Sequence, residues 1–221
     1  VVNARSAVRE AAVIYNVIEE LKLDCLALTE TWITSSHPDT VKRDLAPPEF
    51  TVFHTHRPND KVGGGIALIV RKQLRASQFT LSVPYPSCEI LAVQLPTSSG
   101  RLNIITLYQP STRSTAFYSE LPDLLDEIDS LHGKTIICGD FNSPSLLCQG
   151  TLDQHLTDIL AGHNLQQHVS EPTHRYGRLL DLLITSVNSS VLKAAPSVQD
   201  LGVSDHSVVD RKSTRLNSSH E

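Results

Sequence analysis

Methionine is absent from this chain, tryptophan occurs once, aromatic residues make up only 5% of it, and its apolar runs are all short. Each gap excludes something. Without about 18 uninterrupted apolar residues no helix can cross a bilayer, so no membrane is expected among the partners. The first residues lack the charged start and apolar block of a secretion signal. With no initiator Met, Val1 is expected to be an internal residue of a longer protein. Nor is there a surplus of positive charge. With 19 Lys and Arg against 24 Asp and Glu, the net charge is −5, which excludes holding nucleic acid on a broad cationic face. A DNA substrate would have to be gripped locally. The four cysteines, Cys25, Cys88, Cys138 and Cys148, form no CxxC pair, which argues against a zinc site or a disulfide framework and for reduced thiols in a cytosolic or nuclear protein.

What is present suffices for one core. A chain of 221 residues with 40% apolar content can bury a sizeable interior and has no evident linker, so one domain over residues 1–209 is expected. From Asp210 to Glu221 the chain contains DRKSTRLNSSH, which has no apolar periodicity and reads like a translated sequencing adapter. It is set aside as an artefact without structure.

Apolar residues at Val8, Ala11, Ile14, Ile18 and Leu21 step by three or four, predicting a helix from about Ala7 to Lys22 with Ser6 as its cap. A buried strand follows at Cys25 to Leu28. His37 to Asp60, rich in Pro, Asp and Thr, reads as an irregular excursion. Gly63, Gly64 and Gly65 then lead into a strand at Ile66 to Val70. No GK[ST] or opening helix follows these glycines, so they read as a bend or bulge and not as a phosphate cradle. Strands at Ile90 to Leu95 and Leu102 to Tyr108 are expected to pair as a hairpin through TSSG. A helix over Ser114 to Leu131, a strand at Lys134 to Cys138, a helix over Leu152 to Ala161 and a strand at Leu182 to Thr185 complete the order, which fits a layered α/β sandwich.

The chemistry lies mainly at strand ends. Asp140 and Asn142 in GDFN are two apart, so an extended backbone projects both to one side. Glu30 follows an apolar strand and offers a carboxylate to a hard dication. Asp205 adjoins His206 in SDH, and Asp181 can orient that imidazole by accepting its other ring proton. Tyr108 ends a strand where its phenol can donate to a phosphate oxygen. Each has an ordinary alternative: an Asx turn for GDFN, a solvated strand-end acid for Glu30, a solvated loop imidazole for His206, a strand Tyr with its hydroxyl in water. The other histidines, His54, His56, His168 and His174 among them, read as surface or core residues.

Taken in order, NARS, LALTETW, GGGIALIVR, ITLYQP, ICGDFN, PTHRYGRLLD and SDHS resemble the endonuclease/exonuclease/phosphatase family, and within it the apurinic-endonuclease-like domain of LINE-type, non-LTR retrotransposon polyproteins. The resemblance implies a four-layer α/β sandwich of two packed mixed sheets flanked by helices. It also implies DNA phosphodiester hydrolysis with Mg2+, or Mn2+ in its place. By that resemblance Glu30 binds the metal with Asn3 and Asp205, and Asp140 handles the attacking water. Asn142 and Tyr108 contact the phosphate, and Asp181 orients His206. It further implies synthesis in the cytoplasm, a nuclear site of action and a reverse transcriptase downstream. The first and last strands of the fold are expected to be truncated here. A same-fold phosphoesterase acting on an inositol phosphate, sphingomyelin or RNA, and a non-catalytic retroelement remnant, are the competing expectations.

Overall fold

A computed structural model describes residues 1–57, 63–110, 114–192 and 194–211. Two sheets carry the architecture. The first has four strands in the order β1 (Val2–Asn3), β2 (Cys25–Thr29), β4 (Ile66–Arg71) and β3 (Phe50–Thr55). The second has six, in the order β5 (Ser77–Phe79), β6 (Glu89–Thr97), β7 (Gly100–Tyr108), β8 (Lys134–Asp140), β10 (Asp181–Ser186) and β9 (Leu165–Gln167). A short pair, β11 (Ser197–Gln199) and β12 (Val208–Asp210), stands apart.

Side-chain alternation explains the layering. Along β4, Ile66, Leu68 and Val70 join the core shared with the second sheet, while Ala67 and Ile69 join a separate core with Ile14, Val17 and Ile18 of α1 (Ala11–Glu20). On the second sheet, Phe117, Leu121, Leu124 and Leu125 of α3 (Thr115–Asp129) and Leu156 and Leu160 of α4 (Gln154–Gly162) are buried against the strands. The result is the four-layer α/β sandwich expected from the sequence: α1, sheet, sheet, then α3 and α4. Strands covered on both faces read as continuous apolar runs, which is why they were legible.

Most expected elements form within a residue or two. Ser114 caps α3 by accepting from Phe117 N at 3.2 Å, and the TSSG hairpin closes with Thr97 opposite Gly100. Four expectations need correction. The first helix starts at Ala11 and not Ala7, and Ser6 is not its cap. Ala4, Ser6 and Ala7 instead donate backbone N–H to Thr29, Glu30 and Thr31, so strand-like pairing holds this segment in place of a helical turn. The 37–60 excursion contains α2 (Asp39–Arg43) and the edge strand β3, where only Phe50 is fully buried and the apolar signal is correspondingly weak; residues 58–60 lie outside the described part. Short β5, β9 and β11 gave no pattern to read. Finally, Asp210, set aside with the tail, is a buried residue of β12, while the tail from 212 onward lies outside the described residues. The two ends meet, for Val209 N donates to Val1 O at 2.8 Å.

Candidate active site

A single row of residues crosses the second sheet. Glu89 stands opposite Tyr108, Tyr108 beside Asp140, and Asp140 opposite Asp181, in the registers of β6, β7, β8 and β10. Partners in register project to the same face, so four polar side chains line up at one end of the sheet. Gly139 makes the row possible: at φ +137°, a Cβ there would stand 1.9 Å from Leu107 O.

The first sheet contributes from the other side. Asn3 ends β1 and Glu30 follows β2, with Glu30 in a left-handed conformation at φ 51° that turns the chain toward the row. Asn3 Nδ2 lies 3.1 Å from Glu30 Oε1 and 2.8 Å from Asp140 Oδ2, while its Oδ1 accepts from Arg5 N. Tyr108 donates its hydroxyl to Glu30 Oε1 at 2.9 Å, and Trp32 Nε1 donates to Glu30 Oε2 at 3.2 Å. Asn142, at φ 45°, gives its backbone N–H to Asp140 Oδ1 and its amide to Gln109 O. Distant carboxyl, amide and phenol groups therefore share one hydrogen-bonded web.

His206 closes it. Its Nδ1 is 2.7 Å from Asp181 Oδ2, and both residues are buried. Ser204 Oγ donates to Asn3 O and accepts from His206 N, tying the SDH loop to β1. Thr173 Oγ1 accepts from Leu180 N and Asp181 N, fixing the start of β10. Asp205 turns away from Glu30: it accepts from Arg5 Nη1 at 2.6 Å and stands 3.3 Å from His174 Nε2. His174, read from sequence as surface or core, packs edge-on against His206 with ring centroids 4.9 Å apart. Its place inside PTHRYGRLLD was the available signal.

Electrostatics follow from burial. The Asp140 carboxyl is pushed far above the usual range by desolvation and by Asp181 across the sheet, partly offset by His206. Burial lowers the His206 pKa, but the hydrogen bond and charge of Asp181, with Asp140 and Asp205 behind it, win and raise it to about 9. Burial and then Glu30 drive the Tyr108 phenol well up, so it stays a donor.

The Glu30 and Asp140 carboxylates converge here, bridged by the Asn3 amide nitrogen, and among the described residues the buried Asp181 Oδ1 has no hydrogen-bond partner. Asp140, Asp181 and His206 each offer a ligand atom, all within 4.8 Å of one another. Crowded, desolvated carboxylates of this kind fit a hard divalent cation, which would relieve the repulsion that raises Asp140.

The sequence profile of the endonuclease/exonuclease/phosphatase family matches residues 2–206. No curated protein matches by sequence. Among solved structures, the endonuclease domain of TRAS1, a telomere-specific non-LTR retrotransposon, superposes with a TM-score of 0.67 at 18% identity, covering 92% of this chain and 91% of that one. The AP endonuclease LMAP from Leishmania major gives 0.73 at 12% identity over 93% and 84%. D. rerio TDP2 complexed with single strand DNA product gives 0.62 at 14% over 90% and 88%.

Proposed function

Because the chain belongs to the endonuclease/exonuclease/phosphatase family, we propose that it is a Mg2+-dependent DNA endonuclease, the domain of a non-LTR retrotransposon polyprotein that nicks target DNA. The observation that carries the reading is the convergence of Asn3, Glu30, Tyr108 and Asp140 in one web with the Asp181–His206 pair at its side.

Glu30 and Asp140 are the residues that would hold the cation, with the Asn3 amide nitrogen bridging their carboxylates. When bound, Mg2+ supplies Lewis-acid charge to the phosphate oxygens as negative charge builds up on them. The protein's own groups do the rest. Asp181 accepts from His206 Nδ1, which leaves Nε2 to face the substrate; raised to about 9, this imidazole is cationic at neutral pH and donates to a phosphate oxygen. Asp140, held by Asn3 and the Asn142 backbone, accepts the proton of the attacking water. Tyr108 stays protonated and braces Glu30 or a phosphate oxygen. Asn142 has its left-handed turn anchored on Gln109 O, which sets its amide at the edge where a scissile phosphate lies.

The retroelement assignment draws on TETW and PTHRYGRLLD, and on the shared fold of the TRAS1 domain. On this reading the nick primes reverse transcription in the nucleus, by a polymerase encoded downstream. Conversion of supercoiled plasmid to the open circle in Mg2+, blocked by EDTA and by His206→Ala, is the expected result. Release of phosphate from soluble phosphoesters without nicking would move the reading to another substrate. No Mg2+ binding at all would leave a non-catalytic remnant.

A further inference from the structure

The triple glycine and the first member of the polar row remain without a role in the reading above. Glu89 is buried, directly opposite Tyr108, and it accepts from Gly65 N at 2.6 Å and from Arg57 Nε at 2.6 Å. Arg57 lies over the Tyr108 ring, its guanidinium carbon 5.7 Å from the centroid. The glycines make room for this ion pair. A Cβ at Gly64 would stand 2.3 Å from Glu89 Oε1 and 2.4 Å from Arg57 Nε. At Gly65 it would meet Thr31 Oγ1 at 2.5 Å. The carbonyls of the same glycines accept from Thr31 and Trp32, pinning the turn that presents Glu30.

We infer that Arg57, seated on Glu89 in the pocket cleared by Gly64 and Gly65, is a positioning residue that fixes Tyr108 as a donor to Glu30. The chemistry of the donors gives the direction. The guanidinium over the ring face holds the ring in place, and because Arg carries only N–H donors it cannot compete for the phenol's proton. The phenol's own proton is then directed to Glu30 Oε1, where it lies at 2.9 Å. Glu89 serves as the counter-charge that keeps a half-buried guanidinium beside a cation site. This chain, from Gly65 N through Glu89, Arg57 and Tyr108 to Glu30, reaches Asp140 through Asn3.

The inference rests on Glu30 belonging to the nuclease site, and its test separates the two. Arg57→Gln alone would strand the buried Glu89 charge, so the comparison is made in a Glu89→Gln background. There, Arg57→Gln and Tyr108→Phe are introduced singly and together, with urea melts as the fold control. Plasmid-nicking kcat and KM are measured on all four proteins. The emission of Trp32, the one tryptophan of the chain and a donor to Glu30, is read in metal-free protein.

Arg57→Gln is expected to lower kcat by about threefold to thirtyfold, the worth of one partly desolvated cation–π contact, with KM changed less than about threefold. It should also shift Trp32 emission. In the Tyr108→Phe background the same change should cost less than about twofold, because its target is already gone. Arg57→Lys, which keeps the charge but loses the planar fork, should recover only part of the loss. An equal kcat loss with and without the Tyr108 hydroxyl, full recovery by Lys, or unchanged Trp32 emission would overturn the inference while the nuclease reading stood. A parent protein that neither binds Mg2+ nor nicks DNA would remove that reading and this inference with it.

Discussion

Replacing Asp181 by Asn removes one charge from the buried pair with His206 while keeping its shape. Asp181 Oδ2 is 2.7 Å from His206 Nδ1, and Asp181 stands opposite Asp140 on the neighbouring strand. Two consequences follow from that geometry. The His206 pKa, held at about 9 against the pull of burial mainly by Asp181, should fall below its ordinary value, since burial then dominates. The Asp140 pKa should fall too, because its nearest like charge is gone. An Asn amide can also donate to Nδ1, which fixes the neutral tautomer with its proton on Nε2, so the imidazole loses the positive charge it presents to a phosphate oxygen. Loss of a positioned acid is worth about 100- to 10,000-fold in rate, and kcat should fall by that much while KM for plasmid changes little. NMR titration of the His206 ring in metal-free protein, set beside nicking kinetics, is the assay. A His206 pKa that stayed near 9 in Asp181→Asn would refute the claim that Asp181 sets it.

Further outcomes follow from the same coordinates. In metal-free protein His206 binds its proton more tightly folded than unfolded, so its stabilising contribution is complete below pH 6.5 and is lost as pH rises through about 9. Asp140, raised from 3.8 to about 7, loses its own contribution earlier, as pH rises to about 7, so between pH 6.5 and 9 the melting temperature should drop chiefly through His206 and less steeply in His206→Asn; equal slopes would contradict this. Gly139→Ala, whose Cβ would stand 1.9 Å from Leu107 O at a positive φ, should lower the urea unfolding free energy by about 3 kcal/mol or more. Phe117→Ala should cost about 3–5 kcal/mol in the same measurement, because Phe117 is fully buried and packs edge-on to Phe141 in GDFN. That variant should also slow nicking, while Phe117→Leu should retain most of both.

Central strands and the long helices were legible because each is covered on both faces or along one full stripe, which leaves period-2, continuous or 3.6-residue apolar patterns. Edge and short strands were not. β3 hides among Pro, Asp and Thr because an edge strand buries little, and β1 continues into strand-like pairing through Ala7 where periodicity alone indicates a helix. Glu30, Tyr108, Asp140 and Asp181 could be found because each flanks a strand end that the apolar pattern marks, while Asn3 and His206 stood out only through the ordered motifs NARS and SDHS. Glu89 and Arg57 could not. Glu89 enters the row only through the register of β6 on β7, and Arg57 only through a contact across 32 residues of sequence. His174 likewise depends on a bridge between two loops that no local pattern encodes.

The central claim is that Glu30 and Asp140, brought from two different sheets, grip one divalent cation. Anomalous diffraction from crystals soaked in Mn2+ tests it most directly. A single strong peak bonded to a Glu30 carboxylate oxygen and facing Asp140, lost in Glu30→Gln, is the expected result. A peak held instead by His174, Asp205 and His206, with nothing at Glu30, would contradict it.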